Sequence, residues 1–85
     1  MKVTVKFFAS LRETLKISQE SVDVPADVKT VAELRHHLRA RGEVWAEALA
    51  EGKAIRMALN HEMVDGAVPL INQAEVAFFP PVTGG

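Results

Sequence analysis

The two most apolar stretches of period two lie at opposite ends of the chain, and no other feature limits its possible folds as strongly. Lys2 to Phe8 sets Val3, Val5 and Phe7 against Lys2, Thr4 and Lys6. Glu75 to Phe79 sets Val76 and Phe78 against Glu75, Ala77 and Phe79. Such alternation marks a half-buried strand. Strands this apolar belong in the middle of a sheet. Central neighbours drawn from opposite chain ends are most simply joined in parallel, with a helical layer as the crossover.

Between these ends, strands and helices alternate with no linker, repeat or low-complexity tract. Ser10 and Glu13 have capping-box spacing and predict a short helix with Leu11 and Leu15 on one face. Ser18 to Val24 reads as a second strand that Pro25 ends. Thr30 and Glu33 cap the main helix. Its stripe Val31, Leu34 and Leu38 faces the sheet, Arg35, His36 and Arg39 face water, and Gly42 stops it. Val44 to Leu49 predicts a further turn or two, with Trp45 and Leu49 as its apolar pair. Ile55, Met57 and Leu59 form a third strand. Asn60-His61-Glu62 then turns into Met63-Val64, and Asp65-Gly66 is another turn. The pattern by itself supports an α+β fold with one main helix, and it fits a β-grasp, ubiquitin-like roll. In that roll a small mixed sheet is packed by the main helix plus short helices. Residues 1–79 form the domain and residues 80–85 an extended tail.

With 85 residues there is room for one domain. A net charge of −1, from 10 basic and 11 acidic residues, gives no footprint for nucleic acid or an anionic membrane. No apolar run reaches the ~20 residues of a membrane span, and Met1-Lys2 leads straight into a strand pattern, so the expected compartment is the cytoplasm. The absence of cysteine excludes a thiolate nucleophile, a protein persulfide and a Cys-based metal site. His36 and His37 diverge by about 100° on a helix, and His61 stands alone, so no metal site is expected.

Parity in the last strand places Phe79 on the face of Glu75, which points outward. By the same logic Phe8 points outward at the end of the first strand. Together they predict an exposed apolar patch that marks a partner surface, which Met63 extends. The opposing reading tucks Phe8 under the short helix or re-aims Phe79 by a bulge. Beyond Phe79, the run Pro80-Pro81-Val82-Thr83-Gly84-Gly85 carries no charged side chain. Pro80 and Pro81 favour a stiff, extended exit, and Pro81 to Gly85 reaches roughly 17 Å when extended. Gly84 and Gly85 lack a Cβ and can pass a narrow channel. The group so delivered is the α-carboxylate of Gly85.

The ending Glu75-Val76-Ala77-Phe78-Phe79-Pro80-Pro81-Val82-Thr83-Gly84-Gly85 closely resembles that of the MoaD-type sulfur carriers, the small subunits of molybdopterin synthase. Val5-Lys6-Phe7-Phe8-Ala9 with Leu11-Arg12-Glu13, Trp45, and Ala58-Leu59-Asn60 extend the resemblance along the chain. Asn72-Gln73-Ala74 departs from it, where a turn-like Gly-Asp pair is expected. The resemblance implies that an E1-like partner uses ATP to adenylate Gly85, and that a sulfur donor displaces AMP to leave a thiocarboxylate. The tail then enters the large synthase subunit, within a heterotetramer, and gives its sulfur to the cyclic pterin precursor. It implies no bound cofactor, and since no nucleophile–base pair is evident in the sequence, a carrier subunit rather than a self-sufficient enzyme is expected. Other readings are the sulfur carrier of thiamine synthesis, a ubiquitin-like modifier joined to lysines through Gly85, and a plain binding module.

Overall fold

Val3, Val5 and Phe7 all turn to one side of the first strand, are almost wholly buried and belong to the main hydrophobic core. A computed structural model describes residues 1–81. In chain order the elements are β1 (Lys2–Phe7), α1 (Ala9–Leu15), β2 (Gln19–Asp23), α2 (Val31–Arg39), α3 (Glu43–Ala48), β3 (Arg56–Leu59), β4 (Glu62–Val64) and β5 (Glu75–Phe79). The strands form one sheet in the order β2-β1-β5-β3-β4. As the apolar ends predict, β1 and β5 are parallel neighbours, with Val5 opposite Val76 and Phe7 opposite Phe78. The remaining pairings are antiparallel. This is the β-grasp roll expected from the sequence.

The core lies between one sheet face and α2, whose Val31, Leu34 and Leu38 are fully buried with Leu49, Val76 and Phe78. Phe7 stacks on Phe78 with centroids 6.2 Å apart, and Trp45 meets Phe7 edge-on at 5.6 Å. Arg41 lies over the Trp45 ring and grips both carboxylate oxygens of Glu20, which ties β2 to the helical layer. The capping box at Thr30 is complete. The Glu33 N–H donates to Thr30 Oγ1, and the Lys29 and Thr30 N–H groups donate to the Glu33 carboxylate. These bonds hold the Glu33 carboxyl below its ordinary value, the Lys29 N–H being the largest cause.

Three local expectations are corrected. The first helix starts at Ala9 with Phe8 as its cap, and no side chain caps it, so the Ser10–Glu13 spacing is not used. The backbone itself makes this start, since Leu11 and Arg12 N–H groups donate to Phe8 O while Ala9 sits at φ 54°. Second, α2 ends before Gly42, and Gly42, at φ 150°, instead precedes α3 as its cap. Third, Arg35 does not face water. Its Nε donates to Leu49 O at 2.9 Å, and Nη2 donates to Ala50 O and Lys53 O, so it closes the carbonyl end of α3. Burial, and then the neighbouring Arg39 charge, lowers the Arg35 pKa.

The turns follow their residues more closely. Asn60 and His61 both take positive φ, 49° and 71°, the two-residue hairpin geometry that Asn favours. Gln73 sits at φ 69° in the Asn72-Gln73-Ala74 loop, where the resemblance leads to the expectation of a turn-like Gly-Asp pair. Gly66 approaches α2 so closely that a Cβ there would lie 2.7 Å from Ala32 Cβ.

Candidate functional site

The sheet face turned away from α2 is open, and β5 brings its most apolar end to the base of the tail. Phe79 lies opposite Arg56 on β3. The next residue, Pro80, has no N–H to donate, so the β5 ladder stops there and the chain leaves the sheet. Phe8, just past the end of β1, donates its N–H to Phe78 O at 3.3 Å, which sets its ring beside Phe79. The two rings meet edge to face, centroids 6.4 Å apart.

Phe8 is 45% exposed, so it is not tucked under α1, while Phe79 is half-buried. No bulge re-aims Phe79, because the β3–β5 register runs unbroken from Leu59–Val76 to Arg56–Phe79. Met63 is 58% exposed and lies opposite Ala58, which in turn lies opposite Ala77. The register therefore puts Met63 on the face of Phe79. Two alanines form the low floor between them.

Parity in the sequence finds Phe8 and Phe79, while Met63 takes its place only through the β3–β4 register, and parity misses what surrounds all three. Lys6 Nζ lies 3.0 Å from Glu75 Oε1, and His61 Nε2 lies 3.3 Å from Glu75 Oε2. Lys6 is opposite Ala77, so this ionic cluster borders the apolar floor. Only the β1–β5 pairing brings Lys6 to Glu75, and a single strand's alternation does not contain it. The other tail-base residues, Pro80 and Pro81, are half-buried. Val82, Thr83, Gly84 and Gly85 lie outside the described residues. Among the described residues no three His, Asp or Glu side chains are placed to hold a metal ion, and no helix is long and apolar enough to cross a membrane.

Comparison with known proteins matches residues 5–85 to the ThiS family. The chain is 45% identical to the molybdopterin synthase sulfur carrier subunit of Escherichia coli (strain K12), over 98% of this chain and 99% of that one. Among solved structures, SAMP1 from Haloferax volcanii is similar at 28% identity and TM-score 0.76, covering 100% of both chains. A complex of subunits 1 and 2 of the molybdopterin-converting factor from Helicobacter pylori 26695 contains a chain similar at 28% identity and TM-score 0.69, again covering 100% of both.

Proposed function

Because the chain belongs to the ThiS family, we propose that it works as the sulfur-carrier subunit of a molybdopterin synthase, with Gly85 as its working residue. The observation that carries this reading is the 45% identity, almost end to end, with a relative named for that role. The chemistry explains why a chain without cysteine can move sulfur. A carboxylate is a poor electrophile. An adenylating partner joins the Gly85 carboxylate to the AMP part of ATP and releases pyrophosphate. A sulfur donor then displaces AMP and leaves a thiocarboxylate, whose sulfur attacks the cyclic pterin precursor. Dividing one difficult substitution into activated steps is the logic of covalent catalysis, with the carrier's own end as the travelling group.

Catalysis in this reading belongs to the partners: an E1-like enzyme that uses ATP, and a large synthase subunit that holds the pterin. The chain itself binds no cofactor. A two-subunit complex around a similar chain supports the large-subunit partner. Residues 1–79 act as the presenting domain and residues 80–85 as the tail, in the cytoplasm. Phe8, Met63 and Phe79 form the docking face, and Pro80 and Pro81 limit the freedom that Val82, Thr83 and Gly84 lose on entry.

Intact mass after incubation with ATP, the adenylating partner and a sulfur donor tests the reading. The expected product has one oxygen replaced by sulfur, and deleting Gly85 abolishes it. An unchanged mass with cognate partners sinks the proposal. A lysine-linked adduct in its place identifies a modifier instead.

A further inference from the structure

The strand registers place the charges of the open sheet face. Lys2 lies opposite Asp23 and pairs with it at 3.6 Å. Lys6 and His61 both meet Glu75 in the ionic cluster beside the alanine floor. Each of these groups finds its counterpart on this chain. Arg56 does not. It stands directly opposite Phe79, it is exposed, and among the described residues it forms no salt bridge. Asp65, the residue after the Met57–Val64 pair, accepts instead from the Ala67 N–H at 2.8 Å.

We propose that Arg56 is the specificity-determining charge of the docking face, and that it takes one aspartate or glutamate carboxylate of the large synthase subunit. Directly opposed residues of an antiparallel pair have Cβ atoms about 4.5–5.5 Å apart, so a partner seated on Phe79 also removes water from Arg56. Covering a guanidinium without an anion is strongly unfavourable, and a well-matched carboxylate offsets that cost. The Lys2–Asp23 and Lys6–Glu75 pairs already compensate one another and make no such demand. Shape selects the anion: the planar fork of Arg donates two parallel N–H bonds to a single carboxylate, which the point charge of Lys cannot do. Arg and aromatic side chains are also the types that interfaces concentrate among their strongest contacts. Phe8, Phe79 and Met63 supply apolar area, which many surfaces of similar shape could satisfy. Arg56 rejects those without the acid, because they leave its charge covered and unpaired. This role rests on the sulfur-carrier reading, since that reading names the partner.

Calorimetric titration of the full chain with its cognate large subunit tests the role, with thermal unfolding of each variant as the control for folding. Arg56→Ala is expected to weaken binding about tenfold or more. Arg56→Glu weakens it about a hundredfold or more, because like charges then face each other. Arg56→Lys recovers part of the loss. Lys2→Ala, whose charge is paired on the chain itself, stays within about threefold of the parent. Added salt weakens the parent more steeply than Arg56→Ala. Reversing the charge of one acidic residue of the large subunit restores binding by Arg56→Glu, which a merely structural role for Arg56 does not produce. Parent-like binding by Arg56→Ala and Arg56→Glu overturns the proposal, as does an Arg56→Glu defect that no such reversal relieves. A defect confined to sulfur loading also overturns it and assigns Arg56 to the adenylating partner. If Phe8→Ala weakens binding while Arg56→Ala does not, this inference alone fails. If the parent chain does not bind the large subunit at all, the carrier reading fails first and takes this role with it.

Discussion

Arg35 shows how much one residue can differ from what its place in a pattern suggests. Helical periodicity puts it on the polar side of α2, and periodicity cannot say that α3 would return its last carbonyls to that side. Arg35→Ala leaves the carbonyls of Leu49, Ala50 and Lys53 without this donor. It is expected to lower unfolding free energy by about 1–3 kcal/mol in urea titration. Arg35→Lys keeps the charge but not the planar fork, so it recovers only part of the loss. Glu33 was legible, because Thr30 and Glu33 stand at the spacing that capping requires. Its carboxyl is held below the ordinary 4.5, so its contribution is complete above that value and disappears as pH falls through the lower folded value. Stability measured between pH 6 and pH 3 should therefore fall less steeply in Glu33→Gln than in the parent. Gln73 occupies a left-handed position at φ 69°, and Gln73→Gly is expected to raise stability by about 1 kcal/mol, read as a higher urea midpoint.

At the scale of elements, strict alternation made β5 readable to the residue and β1 to within one, since Phe8 leaves the strand to cap α1, and the same alternation located the outward rings. The start of α1 was not readable, because backbone groups of Phe8 and a left-handed Ala9 make it rather than a capping side chain. The two faces of the sheet give opposite expectations for substitution. Phe78 is fully buried, and Phe78→Ala should cost about 3–5 kcal/mol in thermal or chemical unfolding. Phe8→Ala should change stability little, since the ring is 45% exposed, yet weaken binding to the large subunit by tenfold or more in calorimetry. Full-strength binding by Phe8→Ala and by Met63→Glu would remove the open sheet face from the proposed interface.

For the molecule as a whole, the apolar strands at the two chain ends were enough to predict a parallel central pair, and the structure has it. The place of Arg56 opposite Phe79 was not predictable, since the β3–β5 register sets it and no local window contains that register. The parallel pair has a further consequence, for synthesis. A chain made from its N-terminus holds β1, all three helices and β3 before β5 exists, yet β5 pairs with β1 on one side and β3 on the other. Residues 5 and 76 must meet before the core can close, a contact order that makes folding late and cooperative. A product cut short before Glu75 lacks the closing strand as well as the residues that follow it. Incomplete copies are therefore expected to stay open, and a copy that folds has already been translated through the strand immediately preceding the tail.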